Sequence, residues 1–441
     1  MDIEGYAKRG LINKESDLEE KLTSRILEVK KHCSTEHARN LARAAIVEAE
    51  ATINVSGDVL EPTISGVTMG EFGVGSRGIG DFYTHERIAE IIGKTSAVVD
   101  TTHLDDSGVV RAREAGEYII LTVDGMHSRL SDFSFLAGFH VARAALRDVY
   151  VMGARPVAML SDIHVADDGD VGKVLDHIAG ITTVAELSGI PLITGSTLRI
   201  GGDMVIGERM TGGVGAVGVA SDLTAREQTQ VGDVILMTEG AGGGTISTAA
   251  LYYGKHEVVD ETINIKFLEA CEKLLDSGLV KHIHAMTDVT NGGIRGDAKE
   301  ISRTAGVRLV FLEREMRRLV NPVVLEMLES LEIDYLGVSL DALLIIAPGE
   351  VADSIMETIR SAGVGISIIG KVEEGSGAMI EMDGELRDFT PRFRESAYTP
   401  IKKMIGEEEP RDFGEMQRAV DMATLEAIAK KERVIEKVRK G

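Results

Sequence analysis

Four separated acidic motifs carry the chemistry available to this sequence. They read His103-Leu104-Asp105-Asp106-Ser107-Gly108, Thr122-Val123-Asp124-Gly125, Leu146-Arg147-Asp148-Val149, and Met286-Thr287-Asp288-Val289-Thr290-Asn291-Gly292-Gly293. Each sets a carboxylate against an apolar stretch or a glycine-rich turn. A carboxylate beside buried surface is costly unless positive charge offsets it. Oxygen-seeking Mg²⁺, commonly carrying nucleotide phosphates, is the usual partner for such groups. If the four converge in space, they describe a metal–nucleotide site.

Taken singly, each carboxylate also has an ordinary explanation. In an extended chain Asp105 and Asp106 point to opposite faces, so one reaches a given site while the other binds a second metal, caps a turn or meets solvent. Asp124 ends an apolar strand just before Gly125. Ligands of α/β architectures gather at such strand ends, and a turn-forming Asp-Gly reads the same locally. Asp148 lies in a helical run beside Leu146, Val149 and Val151, where a lone Asp is usually exposed. Asp288 could cap the helix that begins near Ile294. The ordered set, not any member, supports the metal reading.

Two glycine-rich segments could cradle oxyanions. Gly70 to Gly80 offers backbone amides with Arg77 beside them, but it lacks the Gly-Lys-Ser/Thr of a P-loop. Glu239 to Thr245 follows a strand and precedes a helix, a placement that can receive an anion and that tight packing explains equally well. His282 and His284 are too few for a structural zinc site. Neither Gly-x-Ser-x-Gly nor His-Glu-x-x-His occurs. Ionic positioning of phosphates therefore fits better than covalent catalysis.

The elements that must position these groups alternate. Tyr118–Val123, Val157–Ile163, Pro191–Thr194 and Gly213–Ala220 read as strands, with helices over Phe133–Met152 and Val171–Ser188. A break at Ser221–Gly232 precedes a second α/β section opened by Asp233–Thr238. Its later strands are Arg308–Leu312, Ala342–Ala347 and Ile366–Val372, with a hairpin turning at Asp383-Gly384. A helix is predicted from residue 16 to near residue 50, started by a Ser16–Glu19 capping box, and a loop from Gly57 to Gly80. A charged amphipathic helix, one face solvated, ends at Lys440.

A chain of 441 residues is long enough for two domains. Its formal net charge of −23 leaves no basic stripe to track nucleic acid. A polyanion such as ATP would need divalent cations and local Lys or Arg to approach. Cys33 and Cys271 form no disulfide framework, which suits a reduced compartment. No signal-peptide order and no membrane-length apolar run are present, so a cytoplasmic protein with no membrane partner is expected.

The ordered motifs resemble the aminoimidazole ribonucleotide synthetase-like (PurM-like) superfamily, which includes selenophosphate synthetase, thiamine-monophosphate kinase, the hydrogenase-maturation carbamoyl dehydratase and formylglycinamidine ribonucleotide synthase. Asp105-Asp106-Ser107-Gly108-Val109-Val110 resembles its Asp-Asp-Ala-x-Val, and Thr122-Val123-Asp124-Gly125 its next strand end. Ala144 to Pro156 is similar to its helix and Gly-Ala-x-Pro turn. Thr194-Gly195-Ser196-Thr197 resembles its Gly-Gly-x-Thr nucleotide loop, and Met286 to Ile294 its Asp-Val-Thr-x-Gly-Gly-Leu.

The resemblance implies an α+β fold of two domains in which N-terminal sheets from two copies join into a dimeric β-barrel. Its divisions would be a helical extension over 1–55, an ATP-binding and dimerisation domain over 56–220, a C-terminal α/β domain over 221–390 and a helical tail over 391–441. It implies Mg²⁺ on Asp106, Asp124, Asp148 and Asp288. It also implies ATP or its metals near Asp105, Asp106, Asp124, Gly195, Ser196 and Thr197.

Departures from the pattern matter. Arg147 and Ala144 stand where the family commonly has Asn. Asp124-Gly125-Met126-His127-Ser128-Arg129 replaces the Asp-Gly-Val-Gly-Thr-Lys of the purine enzyme. The terminal Val438-Arg439-Lys440-Gly441 lacks the cysteine of the carbamoyl dehydratase, and no Cys- and Lys-bearing glycine loop of the selenophosphate type occurs. The expectation is an Mg²⁺-dependent, ATP-using enzyme that phosphorylates or activates an oxygen of a small metabolite. One alternative is a non-catalytic nucleotide-binding or maturation module that meets a protein partner through the terminal helices. The other is phosphoribosylformylglycinamidine cyclo-ligase itself.

Overall fold

The computed structural model describes residues 1–57, 59–74, 78–103, 105–112, 117–290, 292–395, 397–410 and 412–440. The chain opens with three helices, α1 (Ile3–Ile12), α2 (Leu18–Val29) and α3 (Thr35–Ile53). Leu22 and Ile26 of α2 bury with Ala38, Ala42, Ala45 and Ala49 of α3 against Ile3 and Ala7, the one-sided spacing of packed amphipathic helices. The single helix expected here is two helices, and α1 precedes them. The Ser16–Glu19 capping box does not form: Asp17 is the N-cap and makes no side-chain cap bond. Glu19 instead accepts from Arg43 Nε at 2.9 Å.

The stretch expected as loop contains α4 (Met69–Phe72) and the start of α5 (Ile79–Ile92). The capping box is here, between Thr68 and Glu71. Arg77, with Gly75 and Ser76, lies outside the described residues.

Next come β1 (Gly108–Arg111), β2 (Tyr118–Gly125), α6 (Ser134–Tyr150), β3 (Arg155–Val165), α7 (Val171–Ser188), β4 (Leu192–Arg199) and β5 (Met210–Ala220). The strands form a five-stranded sheet in the order β1-β2-β5-β3-β4, parallel only between β3 and β4. Helix α6 packs on this sheet, and α7 packs on α6 across two glycines. A Cβ on Gly138 would lie 2.1 Å from the His177 carbonyl oxygen, and one on Gly180 2.1 Å from that of Phe135. Strand alternation sends Thr122 and Asp124 of β2 to one face and Leu121 and Val123 to the other. The segment Thr194 to Thr197, expected as a loop, belongs to β4, which runs on to Arg199 as the edge strand.

The second half comprises β6 (Val234–Thr238), α8 (Gly244–Tyr252), α9 (Val259–Thr262), α10 (Lys266–Ser277), β7 (Ala285–Asp288) and α11 (Gly293–Ala305). It continues through β8 (Arg308–Leu312), α12 (Glu313–Leu319), α13 (Pro322–Ser330), β9 (Leu343–Ala347), α14 (Gly349–Ser361) and β10 (Ile366–Glu373). Strands β11 (Gly377–Met382) and β12 (Glu385–Asp388) complete a seven-stranded sheet, β12-β11-β8-β10-β6-β9-β7. The hairpin turns where expected, with Asp383 and Gly384 both at positive φ.

The apolar core does not stop between the two sheets. Leu146 and Val149 of α6 share one buried cluster with Phe267, Leu268 and Leu274 of α10, Ile345 of β9 and Ile355 of α14. Each fully buried Leu or Ile side chain contributes roughly 1.5–3 kcal/mol, so the sheets are held firmly at this seam. Finally, α15 (Pro400–Ile405) leads to α16 (Phe413–Lys440), whose Phe413 and Met416 bury against Phe72 and Phe393. No helix among the described residues is long and apolar enough to cross a membrane.

Candidate functional site

The four expected carboxylates come from four elements that meet at this seam. Asp106 precedes β1, Asp124 is the last residue but one of β2, Asp148 sits near the C-terminus of α6, and Asp288 ends β7. Thr122 Oγ1 donates to Asp148 Oδ2 at 2.9 Å, and Thr287 Oγ1 to Asp106 Oδ2 at 2.8 Å. Alternation along β7 explains why Thr287 and Asp288 reach different partners.

The charges act on one another. Burial, then the carboxylates of Asp288, Asp124 and Asp106, hold the Asp148 carboxyl well above the usual range. Burial, only partly offset by Arg147 and reinforced by Asp106, Asp341 and Asp124, pushes Asp288 up to about 7. Asp148 thus differs from the exposed helical Asp that local pattern suggests. The N-cap position of α11 falls to Gly292 rather than to Asp288.

Three arginines enter this field. Arg147 Nε donates to Asp288 Oδ2 at 2.9 Å, and its guanidinium also pairs with Asp341. Arg143, one turn earlier, pairs with Asp341 and donates to the carbonyls of Thr262 and Asn264 at 2.9 and 2.6 Å. From the loop after β5, Arg226 Nη2 stands 2.8 Å from Asp106 Oδ1 and Nη1 stands 3.0 Å from Glu300. Asp105 Oδ1 accepts from the Arg226 backbone amide at 3.0 Å. Its Oδ2 is buried without a hydrogen-bond partner, and burial pushes Asp105 up to about 6 against the pull of Arg226.

Arg143, Arg226 and Asp341 were not singled out from sequence. Arg143 and Arg147 fall four apart within the apolar run Ala137–Val151. That spacing puts two guanidinium groups on one buried helix face, and buried charges require partners. Asp341 left no comparable signal. It sits at a φ of 51°, a turn conformation that Asp tolerates better than most residues.

The donor set is all oxygen and carries excess negative charge, which fits a hard divalent cation. The unpartnered Asp105 oxygen points the same way. As they stand, no three Asp, Glu, His or Cys side chains among the described residues are grouped closely enough to hold a metal ion. Gly195, Ser196 and Thr197 are exposed on edge strand β4. Gly195 shares a cross-strand row with Asp124 through Val214 and Ser161, three strand spacings or roughly 14 Å away. His284 Nδ1 bonds Asp233 at 2.8 Å rather than joining His282.

Comparison with known proteins gives a consistent result. Residues 104–220 match the family described as AIR synthase related protein, N-terminal domain, and residues 230–383 match its C-terminal domain. An uncharacterised protein of Methanocaldococcus jannaschii is 52% identical over 449 residues, covering 99% of this chain and 98% of that protein. The selenide, water dikinase of Geobacter metallireducens is 32% identical over 232 residues. That match covers 51% of this chain and 64% of the dikinase. A crystal structure of hydrogenase maturation protein HypE in complex with ATP aligns with a TM-score of 0.54 at 18% identity, over 70% of this chain and 94% of that one.

Proposed function

The chain belongs to the AIR synthase related protein family, and we propose that it is an Mg²⁺-dependent, ATP-using enzyme that phosphorylates or otherwise activates an oxygen of a small metabolite. The observation that carries this reading is the mutual field of Asp106, Asp124, Asp148 and Asp288 at the seam of the two sheets. Folding places like charges together there, at a cost that a bound cation would offset. The ATP complex of HypE and the dikinase activity in the name of the Geobacter relative support a nucleotide as the partner.

In this reading Asp106, Asp124, Asp148 and Asp288 hold the metal, and Asp105 offers its unpartnered oxygen to the metal or its water. Bound there, Mg²⁺ with ATP would neutralise charge developing on the phosphoryl oxygens. Arg147 supplies a fixed positive charge beside Asp288. The domains of the reading are 56–220 and 221–390. A homodimer built on the outer face of the first sheet would bring Gly195 to Thr197 of the exposed edge strand to a nucleotide. A protein partner would meet the terminal helices, where Met422, Leu425 and Val438 of α16 are exposed.

The Arg147–Asp288 pair favours a second reading, a nucleotide-binding module that lost catalysis because a guanidinium occupies a ligand. Calorimetric titration with ATP and Mg²⁺, followed by a hydrolysis assay, separates the two. Binding with turnover supports the enzyme, and binding without turnover supports the module. No binding, or wild-type affinity in both Asp106→Asn and Asp288→Asn, removes the proposed site.

A further inference from the structure

The break expected at Ser221–Gly232 is not a loose linker. Thr224 is fully buried, and its hydroxyl donates to the Val151 carbonyl at 2.7 Å while its own carbonyl accepts from the Met286 amide at 3.4 Å. The connection is therefore pinned to the turn after α6 on one side and to β7 on the other. Ala225 is also buried, and a single 3-10 turn, Arg226–Gln228, follows it. The first residue of that turn is delivered between the two sheets on a fixed backbone.

From there Arg226 reaches both members of the acidic pair. Its backbone amide donates to Asp105 Oδ1 at 3.0 Å, and its Nη2 donates to Asp106 Oδ1 at 2.8 Å. The same Nη2 donates to the Thr287 hydroxyl at 2.8 Å, and that hydroxyl donates to Asp106 Oδ2 at 2.8 Å. Arg226, Asp106 and Thr287 form a closed ring in which each holds the other two. Both oxygens of Asp106 are engaged, which fixes the plane of its carboxylate, and each keeps a further lone pair. Because Thr287 precedes Asp288, the ring also ties a candidate ligand of the first half to the strand that carries one of the second.

A carboxylate cancelled by a guanidinium would be a poor cation ligand. Here the charge of Arg226 is divided. Its Nη1 stands 3.0 Å from Glu300 Oε2 and its Nη2 3.8 Å from Asp297 Oδ1, both on α11. Burial opposes the charge, but Asp106, Glu300, Asp105 and Asp297 outweigh that and hold Arg226 above the usual arginine range. One buried cation thus faces four carboxyl groups, so Asp106 is oriented without being neutralised. A pair kept for stability alone would not call for this excess, since every added buried carboxylate is costly.

Resting on the metal reading above, we infer that Arg226 is a positioning residue of that site. It sets the orientation of Asp106 through a hydrogen-bonded ring with Thr287 while leaving that carboxylate its charge. Contacts of this kind, one step removed from a metal, typically govern affinity within roughly 10–100-fold.

The test is a Mn²⁺ titration of the full nucleotide-free chain, read from the EPR signal of the free ion. Arg226→Lys keeps the positive charge but cannot bond Asp106, Thr287 and Glu300 together. It should bind Mn²⁺ roughly 10–100-fold more weakly. Thr287→Val opens the ring with little change of volume and should lose affinity several-fold, and Thr287→Ser should restore it. Both losses should vanish in an Asp106→Asn background, where no carboxylate remains to be oriented. An effect on the fold at large would persist there. Should Arg226→Lys fail to fold, Glu300→Gln takes its place in the same cycle. The guanidinium then bears more fully on Asp106, and a several-fold loss confined to chains that keep Asp106 is expected. Wild-type affinity in Arg226→Lys or in Thr287→Val overturns the proposal, and so do equal losses in the two backgrounds. A wild-type chain that binds no Mn²⁺ overturns the metal reading as well, which distinguishes the two failures.

Discussion

Arg147 Nε stands 2.9 Å from Asp288 Oδ2, joining α6 of the first sheet to the end of β7 in the second. The same guanidinium pairs with Asp341, so one arginine bridges a strand-end carboxylate and a turn-borne one, both of the C-terminal half. Burial opposes its charge, but Asp341 and Asp288 outweigh that and hold Arg147 above the usual arginine range. The seam is thus apolar at α6, α10 and α14 and ionic at the candidate site.

Removing that bridge should be expensive. Arg147→Ala leaves Asp288 without its cation and Asp341 with Arg143 alone, in a buried setting where losing one partner typically costs roughly 3–5 kcal/mol. Arg147→Lys should recover only part of this, because an ammonium cannot span two carboxylates as a planar guanidinium does. Urea denaturation is the measurement. A loss below about 1 kcal/mol in the alanine variant would mean that the bridge does not hold the seam.

Asp148 offers the opposite sign. Burial and three neighbouring carboxylates disfavour its charge, and among the described residues Thr122 alone bonds its side chain to relieve it. Asp148→Asn keeps the shape and removes the repulsion, so metal-free protein should gain on the order of 1 kcal/mol. The same variant should lose the thermal stabilisation that Mg²⁺ gives the wild type. Lower stability of Asp148→Asn in EDTA would contradict this account.

The pH dependence has a defined direction. Asp288 is held up to about 7, whereas an unfolded Asp titrates near 4, at about 3.9. Below about pH 4 both states are protonated and the group contributes no difference. Between about pH 4 and 7 the unfolded chain ionises while the folded one keeps its proton, so metal-free stability falls, by a few kcal/mol at most. Asp148 moves in the same direction, and the fall belongs to the pair. Denaturation in EDTA at pH 5 and pH 8 should show a clear loss in the wild type and a smaller one in Asp288→Asn. Equal losses would exclude Asp288 as a source.

The convergence of the four carboxylates was legible because each lies at a strand end or beside an apolar run, and because their order along the chain matched a known pattern. The arginine partners were less visible. Arg147 stood out as a departure from the family's Asn, and its pairing with carboxylates follows from that charge; Arg143, four residues earlier on the same apolar face, needed acids that only the fold supplies. Asp341 was beyond reach, since a turn-borne Asp before a strand has several ordinary uses. Helix α1 and the Ser16–Glu19 assignment failed for a related reason. Capping residues bond whichever partner packing presents, and Arg43 presented itself to Glu19. The strand expected over Pro191–Thr194 runs on through the segment that the resemblance made a loop; a Cβ on Gly195 would lie 2.7 Å from the Ser161 carbonyl oxygen, so glycine permits the close β3–β4 pairing.

The outer face of the first sheet bears on oligomeric state. Val123 pairs through Gly215 with Leu160, and the Val123 and Leu160 side chains point away from α6. Val123 is 75% exposed, Leu121 47% and Leu160 41%, and Leu198 on edge strand β4 is 56% exposed. A contiguous apolar sheet face beside an unpaired edge is poorly suited to water, and a second copy would cover both. Sedimentation velocity should therefore show a dimer. Val123→Glu, which places a charge at the centre of that face without touching the α6 side, should give a folded monomer. The monomer should bind ATP·Mg²⁺ more weakly, because Gly195 to Thr197 would lose the neighbouring copy that brings them to the nucleotide. A wild-type chain that sediments as a monomer, or a Val123→Glu variant that remains dimeric, would place the interface elsewhere.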